Sequence, residues 1–110
     1  MPTGVSVVLV TAPNEEVASA IARTLVEEAR IACATLVPRV RSIYRWQGAL
    51  SDESEVLMVL KAPEREFDAL RARIVELHPY EVPEIIRLEV AGGHLPYLDW
   101  VLGVHSTGTG

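Results

Sequence analysis

The chain has 110 residues, 49% hydrophobic and 23% charged, with a net charge of -5, three histidines and one cysteine. That size fits a single domain over 1–110, with a core over about 5–102, and the lone Cys33 excludes an intrachain disulfide or a multi-cysteine zinc module. The acidity repels phosphate backbones, no apolar run approaches the ~20 residues of a membrane span, and no charged-then-apolar leader opens the chain; the expectation is a cytoplasmic protein that binds neither nucleic acid nor membrane.

Val5 to Val10 is apolar at both parities, the pattern of a strand covered on both faces, and Pro13 with Asn14 stops it. Asn14 can cap a helix over Glu15 to Arg30, where Val17, Ile21 and Leu25 join Ala18, Ala22, Val26 and Ala29 in one stripe behind acids in the first turn. Cys33 to Trp46 reads as a long strand bent at Pro38, with Arg39, Arg41 and Arg45 on one parity and Val40, Ser42, Tyr44 and Trp46 on the other. Gly48 to Ser54 carries turn chemistry, and Glu55 to Lys61 returns as the hairpin partner. Pro63 opens a second helix with Phe67, Leu70, Ile74 and Leu77 on its stripe. A strand over Glu84 to Val90 follows, ended by Gly92-Gly93. Pro96 then starts a short helix with Tyr97, Trp100 and Val101 on one face, before a tail over 103–110 that is expected to fray.

Strand, helix, strand, strand, helix, strand is the split βαβ order of an α+β ferredoxin-like fold, here with an extra terminal helix. Two helices cover only one face of such a sheet, yet Val5, Val7 and Leu9 lie on one face of the first strand and Val8 and Val10 on the other. The mean hydropathy of +0.22 is high for a lone small domain. Both features predict that further copies of the chain cover the second face, as a closed symmetric assembly.

Chemistry concentrates in His78-Pro79-Tyr80-Glu81-Val82-Pro83-Glu84, a stretch whose two prolines stiffen the backbone and present ionisable side chains. Imidazole and carboxylate suit copper or zinc, so His78 is the expected metal ligand, with Glu81 and Glu84 as weaker donors. Helix C-terminal capping is the competing reading of His78. A single chain offers no complete transition-metal cage, whereas three copies around an axis multiply the donors. Arg39, Arg41 and Arg45 read as cross-strand partners of Glu53 and Glu55 or, with Tyr80, as an anion cleft. Tyr44, Trp46, Tyr97 and Trp100 read as packing and interface anchors, and Cys33, between two alanines, as a buried thiol. No nucleophile with an activating base is legible, so catalysis, with His78 and Glu81 or Glu84 in acid–base roles, ranks last.

The motifs Cys33-Ala34-Thr35, Ser42 to Gly48, Glu55 to Lys61 and His78 to Glu84, with Val10-Thr11-Ala12-Pro13 and Tyr97 to Trp100 at the ends, closely resemble the CutA family of divalent-cation tolerance proteins. The resemblance runs from about Val5 to Val101. It implies a ferredoxin-like homotrimer related in architecture to PII signalling proteins, non-enzymatic, needing no cofactor, and binding copper(II) or another divalent cation. Members with assigned copper ligands carry a cysteine where Val10 stands and a histidine pair where Leu77-His78 stands, so of that set only His78 remains and copper binding is expected to be weak. The alternative that the PII likeness implies is a sensor of a small anion or metabolite in a cleft between subunits.

Overall fold

A computed structural model describes residues 2–103, and the tail expected to fray lies outside them except for Gly103. Its elements are β1 (Val5–Ala12), α1 (Glu15–Glu27), β2 (Cys33–Trp46), β3 (Ala49–Pro63), α2 (Phe67–Leu77), β4 (Ile85–Glu89) and α3 (Leu95–Leu102). One 3-10 turn, Glu64–Glu66, leads into α2. Every strand pairing is antiparallel and the sheet order is β2-β3-β1-β4, the ferredoxin-like arrangement expected from the element order.

Local chemistry sets the element ends. The Asn14 side chain accepts from the Val17 N–H at 2.8 Å, capping α1 with Glu15 and Glu16 in its positive first turn. That helix stops at Glu27, short of Arg30, because Ala29 takes φ 57 and turns the chain into β2. β2 runs the full 14 residues with a bulge between Val37 and Val40, where Arg39 adopts φ 60. The hairpin loop expected over Gly48 to Ser54 is only Gln47-Gly48. Both residues have positive φ (49 and 80), as a two-residue turn matched to strand twist requires, so Ala49 to Ser54 is strand.

The two sheet faces differ. Alternation places Val8, Val10, Ala12, Val56, Met58 and Leu60 under α1 and α2, where they pack with Ala18, Ile21, Leu25, Leu70 and Ile74 in the main core. On the opposite face α3 covers only one end, where Leu98 and Val101 pack on Val5 and Ala32. Val101 therefore faces inward with Leu98, and Tyr97 and Trp100, expected beside it, lie on the exposed side of α3. The register sets Leu9 between Val59 and Ile86 and Val7 beside Leu88, so an apolar strip crosses the rest of this face; Ile86 and Leu88 are each nearly half exposed. The two-sided first strand is thus half satisfied within one protomer.

Candidate functional site

α2 ends at Leu77, and the stiff loop returns the chain to β4 against the far end of β1. His78 is 93% buried, since 7% of its surface remains exposed. Its Nε2–H donates to the Thr11 carbonyl at 2.7 Å and its Nδ1 accepts the Tyr80 N–H at 3.1 Å, which fixes the Nε2–H tautomer. β4 begins opposite Val10, and the imidazole meets β1 one residue further on, at Thr11. The ring also packs on Tyr80 with centroids 4.7 Å apart. With both nitrogens engaged, His78 has no lone pair left for a metal in this arrangement, which counts against the ligand role read from its residue type.

Tyr80 reaches from the loop to β3. Its hydroxyl donates to Glu55 Oε2 at 2.6 Å, and desolvation of the phenol, followed by this bond to a carboxylate, pushes its pKa far above the ordinary tyrosine value. Around this pair opens a cleft of about 610 Å³. Thr11 of β1, Ser42, Ile43, Tyr44 and Trp46 of β2, Glu55 of β3, and Tyr80, Glu81, Val82 and Glu84 of the loop line it. Three carboxylates and three aromatic rings converge there, and the lining contains no Arg or Lys. Among the described residues, however, no three His, Cys, Asp or Glu side chains are placed to hold one metal ion.

The fold gathers His78, Tyr80, Glu81, Glu84, Tyr44 and Trp46 at this end and leaves the other sequence candidates elsewhere. None of Arg39, Arg41 and Arg45 lines the cleft. Arg41 forms a two-point ion pair with Asp52, at 2.9 and 2.7 Å, which lowers the Asp52 pKa. Glu53 and Glu55 are not its partners, because the register pairs them with Ser42 and Val40 on the opposite parity. Tyr44, Trp46, Tyr97 and Trp100, expected as packing anchors, are 42–55% exposed in the protomer. Cys33, expected buried, is only half-buried; its Sγ lies 3.5 Å from the Tyr97 hydroxyl, and that contact, with burial, raises the Tyr97 pKa. Sequence reasoning treated Glu55 only as an ion-pair partner and missed its place in the cleft. The available signal was its parity: Glu55 shares a strand face with Leu57 and Val59, an acid in an apolar series.

The fold and cleft define an α+β ferredoxin-like protein with an acidic, aromatic cavity at the edge of an incompletely covered sheet. Residues 6–103 match the model of the family described as CutA1 divalent ion tolerance protein. The chain belongs to the CutA family. It is 50% identical over 95 residues to the divalent-cation tolerance protein CutA of Thermus thermophilus, covering 86% of this chain and 92% of that protein. It is 46% identical over 101 residues to the human protein CutA, covering 92% of this chain but only 56% of the human protein. A solved structure, the PII-like protein CutA of Nostoc in apo form, superposes with a TM-score of 0.84 at 40% identity, covering 90% of this chain and 95% of that one. Relatives named as chloroplastic in Oryza sativa and periplasmic in Archaeoglobus fulgidus show that membership alone fixes no compartment. Among the described residues no helix is long and apolar enough to cross a membrane.

Proposed function

We propose that this chain is a non-enzymatic divalent-cation tolerance protein. It acts as a cytoplasmic homotrimer and meets copper(II) or another divalent cation weakly at Glu81 and Glu84 on the lip of the cleft. The observation that carries the reading is the cleft's sign: its charged lining is acidic throughout, in a chain of a family described by tolerance to divalent ions. Cations accumulate in such a concavity and anions are repelled. Among the described residues no three His, Cys, Asp or Glu side chains are grouped to hold one ion, and His78 is held by Thr11 and Tyr80, so the cation is a transient, largely hydrated ligand rather than a resident cofactor.

Assembly follows from the uncovered strip through Val7, Leu9, Leu57, Val59, Ile86 and Leu88, which other copies of the chain bury. The number three is what the family resemblance implies. The alternative, an anion sensor with Arg39, Arg41 or Arg45 in a cleft between subunits, has less behind it: Arg41 is already paired with Asp52, and none of the three lines the protomer's own cleft. An acid–base pair gains none either, because His78 hydrogen-bonds neither Glu81 nor Glu84. The experiment is a growth challenge with copper(II) in a copper-sensitive strain lacking its own CutA-type protein. The chain should raise the tolerated concentration and the Glu81→Gln/Glu84→Gln double variant should not. Equal protection by both, or none by the wild type, rejects the reading.

A further inference from the structure

Glu55 is the one carboxylate of the cleft lining that is buried. The residue is only 8% exposed, and among the described residues it forms no ion pair and accepts one hydrogen bond, from Tyr80 to Oε2, with none to Oε1. A largely buried carboxylate with one oxygen free favours a cationic partner, and the cleft that Glu55 lines can admit one from outside the protomer. Three chemistries compete to supply or use it. An anion is repelled by the lining. A bare metal ion needs at least three convergent donors, and among the described residues no three His, Cys, Asp or Glu side chains are so grouped. A cleft of about 610 Å³ is also the size that takes a small organic molecule, roughly 300–1,000 Å³, rather than one ion.

The third chemistry fits what is present. An ammonium head needs only one or two acceptors and is drawn to aromatic faces, and Tyr44, Trp46 and Tyr80 share the cleft with Glu55. The apolar side chains of Ile43 and Val82 offer a surface to a carbon body. We propose that the cleft binds a small organic ammonium compound, its cationic head on Glu55 Oε1 and its carbon body against Tyr44 and Trp46. Tyr80 has a positioning role, tying down Oε2 so that Oε1 faces the ligand. This site lies deeper than the Glu81 and Glu84 lip and stands independently of metal tolerance.

The probe is phenethylammonium, with 3-phenylpropionate as the anion of similar shape. In a Trp100→Phe background Trp46 is the sole tryptophan and reports binding by fluorescence. Phenethylammonium should give a saturable change that 3-phenylpropionate does not, and the affinity should weaken as salt rises. Glu55→Gln, with circular dichroism and oligomer mass unchanged, should weaken binding about tenfold or more. Trp46→Leu, read by calorimetry, should weaken it by about threefold or more, an arm that does not depend on the Glu55 variant folding. No ammonium-specific saturation in the wild type, or equal affinity in either variant, overturns the proposal. Dissociation of the oligomer by Glu55→Gln overturns it too, because the missing cation then belongs to a neighbouring copy.

Discussion

His78→Phe separates a structural imidazole from a metal-binding one. The substitution keeps an aromatic ring at a site 7% exposed but removes both polar contacts, leaving the Thr11 carbonyl and the Tyr80 N–H without their partner. A buried group stripped of its partner costs about 1–3 kcal/mol. Both bonds here are only partly buried, so water recovers some of that, and the expected loss is about 2–4 kcal/mol. Urea unfolding at one fixed protomer concentration reads it as a lower midpoint with an unchanged slope, the fixed concentration being needed because assembly adds to apparent stability. His78→Ala should cost more, since it also opens a cavity beside Tyr80. A loss below about 0.5 kcal/mol together with a collapse of copper affinity would refute the reasoning and return His78 to the metal.

Light scattering should give about 36 kDa, three times the 12.1 kDa chain, and Ile86→Asp with Leu88→Asp should reduce it to the monomer, since both side chains lie on the uncovered face. An unchanged mass would place the interface elsewhere. Glu28, hydrogen-bonded by Arg73 and Arg30, has its pKa lowered to about 2, so its stabilising contribution is complete above its ordinary 4.5 and is lost as pH falls toward 2. The stability gap between wild type and Glu28→Gln should therefore close over that window and shrink with salt; a gap that stays constant with pH contradicts the pairing. In an alkaline titration followed by ultraviolet absorbance, Tyr80 should ionise well after an ordinary tyrosine, and Glu55→Gln should bring that step down; an unmoved step would show that the carboxylate contributes nothing.

Much of the fold was legible because its elements carry strong periodic signals: the α1 stripe through Ala18, Ile21, Ala22 and Leu25, the two-sided β1 and the irregularity around Pro38 in β2 reappear in the structure, whereas Val26 is 43% exposed and Ala29 lies past the helix end. The hairpin turn was misread because Ser51, Asp52 and Ser54 have turn composition, while the φ values of Gln47 and Gly48 decide where the chain reverses. The site was legible in place and not in role. Two prolines marked the loop, but which atoms His78 touches depends on where β4 begins along β1, a long-range register. The same holds for Glu55, whose strand parity was readable and whose bond to Tyr80, 25 residues away, was not. Arg41 was given the wrong partners because the bulge at Arg39 and the hairpin register set Glu53 and Glu55 on the opposite parity, and its pair forms with Asp52.

The central claim is that the assembled protein meets divalent cations weakly and through the acidic lip of the cleft. Calorimetric titration of copper(II) into the wild type and the Glu81→Gln/Glu84→Gln variant, at equal oligomer mass, tests it most directly. The predicted result is weak binding in the wild type, without a nanomolar phase, and a marked loss in the variant. Tight binding that survives both substitutions would contradict the account, and so would an absence of binding heat in the wild type.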